Sequence, residues 1–153
     1  MKTKVLILSF AVSLLLIMGG YFLINPSYEK SIKAKYYYET GEYKEAYSLA
    51  KEAFSMDVYN RMASTIMAQS QTSLKYVSYV NDAKKYMKEI NNIAIHDVIS
   101  GADKAKIRLM CQIMLSSYIK LAPSVITDDE LINEAAKYYD GFEKLLEKVN
   151  RNI

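Results

Sequence analysis

Residues 34–57, AKYYYETGEYKEAYSLAKEAFSMD, predict two helices separated by a short break. The first helix is expected to end at Glu39, because Thr40-Gly41-Glu42 interrupts the helical pattern. The second is expected from about Tyr43 to Met56, where small and apolar side chains recur at helical spacing. These side chains form one stripe: Ala46, Leu49, Ala50, Ala53 and Phe54. The rest of the chain lacks alternating strand patterns, so we expect an all-α protein.

The segments on either side of this stretch predict further helices. The first helix is expected to begin at about Ser27, a residue type that suits an N-cap. A third helix begins near Asn60, and the pattern leaves open whether it stops near Tyr79 or continues to Ile90. A loop is expected between about residues 91 and 101.

Two capping patterns open the last two helices. Ser100-x-x-Asp103 resembles a capping box and begins a helix that extends to about Leu121, before Pro123. Thr127-x-x-Glu130 is a capping box, which predicts Thr127 as the N-cap of the final helix. That helix carries a seam for a partner helix: Leu131, Ala135, Tyr138, Phe142, Leu145 and Val149.

Residues 5–24, VLILSFAVSLLLIMGGYFLI, predict a membrane-spanning helix from Val5 to Ile24. The run has 20 residues and no charge. At about 1.5 Å per residue it matches the roughly 30 Å hydrocarbon core of a bilayer. A helix satisfies its own backbone hydrogen bonds, which allows it to cross lipid. Asn25-Pro26 ends it, because the residue before a proline disfavours helical geometry.

A cleaved signal peptide is the alternative interpretation, since Lys2 and Lys4 form a basic start. The apolar run exceeds the roughly 7–15 residues of a signal core, and Met18-Gly19-Gly20 is a poor cleavage site. We therefore expect an uncleaved signal anchor. Lysines flank both of its ends, so its orientation rests on the basic tail. Residues 1–4 would lie in the cytoplasm and residues 25–153 would form a soluble domain outside it; in a bacterium, this is an inner-membrane protein facing the periplasm.

The segment quoted first also resembles the tetratricopeptide (TPR) repeat, in which two antiparallel helices pack through small residues. Tyr37 matches the aromatic late in the first helix, and Gly41 matches the residue of the tight inter-helix turn. Ala46 and Ala53 match the two small positions of the second helix. The likeness is looser in the first helix, where Lys30 stands at a position that is usually aromatic.

The resemblance implies a compact TPR-like domain over residues 25–153. Residues 60–93 resemble a degenerate second repeat, with Ala83 and Ile90 spaced as the two alanines of the first. At least about three repeats are usually needed to bury their faces, so the C-terminal helices are expected to complete the core.

TPR proteins commonly bind peptides on the inner face of the first helix of each pair. The resemblance places a partner-binding face at Tyr28, Ser31, Lys35, Tyr38 and Glu39. For Tyr28 and Tyr38, packing on the following helix is an equal alternative.

Residues suited to catalysis or metal binding are sparse. His96 is the only histidine and Cys111 the only cysteine, so the chain offers neither an intramolecular disulfide nor the usual set of zinc ligands. A Cys111/His96 dyad is conceivable, but Cys111 is expected on an apolar helix face, unlike catalytic thiols. We therefore expect no enzyme, cofactor or metal. Two of the 20 basic residues precede the anchor and the others nearly balance the 17 acidic ones, which argues against nucleic-acid binding.

Three hypotheses for function follow. The leading one is a membrane-anchored protein–protein interaction or scaffold protein, an accessory component of a bacterial envelope machine for secretion, motility or cell-wall assembly. The second is a chaperone-like receptor tethered on the cytosolic side. The third is a helical domain that binds a lipid or other ligand in an apolar pocket.

Overall fold

The computed structural model describes residues 2–96 and 98–151, and within them it contains helices and no strands. The expectation of an all-α chain is thus confirmed. The helices are α1 (Lys2–Ile24), α2 (Pro26–Glu39), α3 (Tyr43–Met56), α4 (Arg61–Ala94), α5 (Gly101–Tyr118) and α6 (Asp129–Arg151). The chain divides into an N-terminal unit, Met1–Gln71, and a C-terminal unit, Thr72–Ile153.

Helix α1 is long and apolar enough to cross a membrane. Its apolar window, Lys4–Tyr21, has no buried residues, so the folded domain does not cover it. A signal sequence near an N-terminus has the same length and composition.

Helices α2 and α3 form a hairpin around a glycine turn. Gly41 has φ +82°, which is the left-handed region that L side chains rarely adopt. Its N–H donates to the carbonyl of Tyr38 at 3.2 Å, and the N–H of Glu42 donates to the carbonyl of Tyr37 at 2.8 Å. These two bonds are those of a Schellman motif, which satisfies the last carbonyls of α2. The predicted break at residues 40–42 is confirmed.

Small side chains form the contact between the two helices. Ala34 of α2 and Ala46 and Ala50 of α3 are fully buried and form a core cluster with Ile66 of α4. Because alanine adds little bulk beyond the backbone, the helices can approach closely. The predicted stripe on α3 is therefore the buried face of that helix.

Asn60 lies fully buried where α2, α3 and α4 meet. Its Nδ2 donates to the hydroxyls of Ser27 (2.9 Å) and Ser31 (3.2 Å), both on α2. Ser27 in turn donates to the carbonyl of Ala53 near the end of α3 at 2.9 Å. The Oδ1 of Asn60 accepts from the N–H of Ala63 at 3.1 Å and so caps α4. One side chain thereby joins the start of α2, the end of α3 and the start of α4.

Helix α4 is continuous, so residues 60–93 do not form a second helical hairpin, and the prediction of a degenerate second repeat is wrong. No glycine or proline lies between Asn60 and Ser100 to break the helix, and the polar pair Asn81-Asp82 simply lies on its exposed side. The loop also starts later than predicted, since Asn91 and Asn92 are still helical.

The C-terminal unit is built from the second half of α4 together with α5 and α6. Its buried core is apolar apart from the tyrosine hydroxyls and comprises Tyr76, Tyr79, Val80, Ala83, Ile90, Ile107, Met110, Cys111, Met114, Ala135 and Phe142. Ala135 and Phe142 of the predicted α6 seam are fully buried, and the other four seam residues pack against this core. The seam is thus confirmed, and so is the burial of Cys111.

The predicted caps are partly correct. Ser100 accepts from the N–H of Asp103 at 3.1 Å and caps α5 as predicted. Thr127 does not cap α6: its hydroxyl accepts from the N–H of Ser124 at 2.8 Å, and Asp128 accepts from the N–H of Glu130 instead. Ser27 does not cap α2 either, because its side chain points into the Asn60 cluster. Asn25 takes that place and accepts from the N–H of Ser27 at 3.0 Å.

Replacing Asn60 with alanine is expected to destabilise the protein by about 2–4 kcal/mol, because it removes an N-cap and leaves buried hydroxyls with one fewer partner. Urea unfolding of the full chain in detergent, followed by circular dichroism, measures the change. Asn91→Ala, an exposed site on the same helix, is the matched control and should shift stability by no more than about 0.5 kcal/mol. Equal effects of the two substitutions would contradict the role given to Asn60.

Candidate functional site

The five residues predicted to bind a partner are all on α2, but they are not equally accessible. Ser31 is fully buried, and its hydroxyl donates to the carbonyl of Tyr28 at 3.0 Å and accepts from Asn60. Ser31 is therefore a packing residue in this structure and not part of a binding face. The resemblance points to Ser31 by position alone, whereas in the fold its hydroxyl is bonded to Asn60, the residue before α4.

The other four predicted residues lie at or near the surface. Lys35 and Glu39 are exposed and form an ion pair with their nearest atoms 3.6 Å apart. Tyr38 is half-buried, and its ring packs edge-on against Tyr43 of α3 with the ring centroids 5.5 Å apart. Tyr28 is also half-buried. The binding role of these residues stays a prediction, and for Tyr38 the ring contact supports the packing alternative.

A largely exposed apolar row on α2 contains one of these positions, Tyr28, and two residues outside the predicted set. Tyr28, Ile32 and Tyr36 are spaced four residues apart, which puts them on one side of α2. Ile32 is 54% exposed and Tyr36 63% exposed. Tyr36 is held edge-on against Tyr37, with ring centroids 5.7 Å apart. We call these three residues the α2 stripe; their four-residue spacing is the signal that could have revealed it.

A groove lies in the C-terminal unit between α4 and α5. This α4–α5 groove has a volume of about 460 Å³. Its lining is mixed and comprises Lys75, Ser78, Tyr79, Asp82, Tyr86, Ile113, Met114, Ser117, Lys120 and Leu121. Within the described part of the chain neither lysine forms an ion pair. The groove therefore combines apolar walls with polar groups around them.

The lining of the α4–α5 groove includes Tyr79, whose side chain is almost fully buried. The residue is 5% exposed, and its hydroxyl has no hydrogen-bond partner among the described residues. Burial, with smaller contributions from Tyr118 and Tyr139, raises the pKa of Tyr79 to about 12. Its ring packs on Tyr118 at 5.7 Å, and Tyr118 packs on Tyr139 at 4.6 Å, so three rings connect α4, α5 and α6. A buried hydroxyl without a partner is costly to keep.

The residues with catalytic potential are not arranged as a reactive pair. Cys111 is fully buried, and burial raises the pKa of its thiol from an ordinary value of 9.0 to about 11. His96, by contrast, is exposed and lies two residues after the end of α4. No group of three or more His, Cys, Asp or Glu side chains that could hold a metal ion occurs among the residues that the structure describes.

The thiol of Cys111 is expected to react with a disulfide reagent at pH 8 at least about 100-fold more slowly in the folded chain than in urea, because the higher pKa lowers the thiolate fraction. Burial in the folded chain disfavours the thiolate of Cys111. Ionisation of this thiol therefore lowers the free energy of unfolding as the pH rises from 9.0 through about 11. Ser116→Cys, exposed on the same helix, is the control and should react rapidly. Similar rates at the two sites would show that Cys111 is accessible.

Comparison with known proteins adds no relative. No protein-family model, curated protein or solved structure matches the chain. The likeness of residues 34–57 to a TPR repeat thus stays a resemblance of one hairpin.

Proposed function

We propose that this chain is a single-pass membrane protein whose helical domain binds another protein beside the membrane, as an accessory or scaffold component of a bacterial envelope machine. The observation that carries this proposal is the combination of α1, apolar and uncovered, with the exposed α2 stripe that follows it directly. A tether and a binding face on adjacent helices are what a membrane-bound adaptor requires.

The tether keeps the binding face near the bilayer. Only Asn25 separates α1 from α2. Helix α2 has 14 residues, so its far end is about 21 Å from its start at 1.5 Å per residue. A partner that meets the α2 stripe must then lie within a few tens of ångströms of the membrane surface, which favours another membrane protein or one bound to it.

The chemistry of the α2 stripe favours a protein partner. A tyrosine supplies a large, rigid contact area with a polar end, and aromatic residues are enriched at protein interfaces. The Lys33–Glu29 ion pair, at 2.6 Å, lies next to the stripe and supplies a charged rim. The expected occupant is an apolar helix or extended segment of the partner.

A photoreactive phenylalanine placed at Tyr36 is expected to form a discrete adduct with one partner protein in native membranes. The adduct should be lost when Ile32→Glu is added, because the carboxylate places a charge in the centre of the stripe. The matched control puts the photoreactive residue at Lys51, an exposed position on α3. An adduct that forms equally at Lys51, or that survives Ile32→Glu, would count against the α2 stripe as the binding face.

The proposed orientation, with the domain in the periplasm, predicts that Lys148→Cys is labelled by a membrane-impermeant maleimide in cells whose outer membrane alone is permeable. Lys148 is exposed on α6. The buried Cys111 should not be labelled by the maleimide in the same experiment. Thr3→Cys, in the proposed cytoplasmic tail, should require disruption of the inner membrane. The reverse pattern would place the domain in the cytosol and favour a chaperone-like receptor.

A further inference from the structure

The turn between α3 and α4 exposes large apolar side chains that the fold does not use. Val58 is 60% exposed and Tyr59 is 88% exposed. Met56 before them and Met62 after them are exposed as well. Single exposed apolar residues are common, but four within seven positions are a local concentration that favours contact with an apolar partner. We call this segment the 56–62 turn.

The Asn60 cluster fixes where this turn lies. Asn60 is within the turn, and its Nδ2 is 2.9 Å from the hydroxyl of Ser27. Ser27 follows Ile24, the last residue of α1, by three positions, which is at most about 11 Å of chain. The 56–62 turn is therefore at the end of the hairpin where α1 enters. The other turn of the hairpin, at residues 40–42, lies at the opposite end of α2.

The charges of the turn favour a phospholipid surface. The only acidic residue, Asp57, is half-buried, and its carboxylate accepts from the N–H of Tyr59 at 2.9 Å. Its charge is thus directed into the turn. Arg61 is exposed and forms no ion pair within the described part of the chain. Apolar side chains, a tyrosine and a free guanidinium are the groups that bind at the boundary between headgroups and acyl chains.

We propose that the 56–62 turn inserts into the headgroup layer of the bilayer that holds α1, with Tyr59 and Val58 at the acyl boundary and Arg61 on lipid phosphate. This contact rests on the proposed anchoring by α1. The headgroup layer is about 5–8 Å thick on each side of the hydrocarbon core, which is within reach of a turn bonded to Ser27. The domain then contacts the membrane at two places, the anchor and the turn.

The absence of tryptophan from the chain allows a direct test. Three full-length variants, each with one tryptophan, are reconstituted in vesicles of zwitterionic and anionic phospholipid with bromine-labelled acyl chains. Tyr59→Trp reports on the turn. Tyr36→Trp, an exposed tyrosine near the opposite end of the hairpin, is the matched control, and Tyr21→Trp reports on the anchor.

We expect Tyr59→Trp to show blue-shifted emission and to lose roughly half of its intensity to bromine, as interfacial aromatics do, while Tyr36→Trp stays unquenched. Quenching of Tyr21→Trp together with a solvent-like Tyr59→Trp would overturn the contact and leave the anchor intact. An unquenched Tyr21→Trp would overturn the anchor itself and the contact with it. Equal quenching at positions 59 and 36 would mean adsorption of the whole hairpin and would also overturn the contact.

Discussion

The N-terminal unit depends on one buried amide having all of its hydrogen bonds. Asn60 is enclosed by three helices, and a buried amide without partners would cost several kcal/mol, on the order of the whole net stability of a small domain. Its partners are Ser27 and Ser31 on α2 and the backbone of Ala63 on α4. These bonds form together only when the ends of the helices are in register. The amide therefore specifies the arrangement of the helices, while the alanine contacts between them are compatible with small shifts.

The C-terminal unit is stabilised differently. Its centre is filled by large apolar side chains, with Phe142 and Met114 fully buried, and its register follows from the shape of that core. Two hydroxyls described in this unit, those of Ser73 and Tyr79, are buried without a hydrogen-bond partner. The aromatic row that includes the ring of Tyr79 holds that ring in place. At Tyr79 packing has thus been favoured over hydrogen bonding, and this residue lies on the wall of the α4–α5 groove.

Sequence patterns predict those parts of this structure that depend on residues close together in the chain. The bounds of α3 follow from Gly41 and from a stripe within one helix, and the burial of Cys111 follows from its apolar neighbours. The role of Asn60 does not, because its serine partners are 33 and 29 residues away in the chain. For the same reason the burial of Ser31 does not follow from its neighbours in the chain. Thr127 and Asp128 both carry acceptors that could cap α6, and the contact of Thr127 with Ser124 decides between them.

Asn25 has a consequence for the direction in which the domain faces. Its N–H donates to the carbonyl of Tyr21 in α1, and its carbonyl accepts from the N–H groups of Tyr28 and Glu29 in α2, each at 3.1 Å. The residue thus takes part in the hydrogen bonding of both helices, and no free linker stands between them to act as a swivel. Rotation of α1 about its own axis is then expected to turn the α2 stripe with it. If α1 spans a bilayer as proposed, a neighbour that fixes the rotation of α1 in the lipid also determines the direction in which the α2 stripe faces.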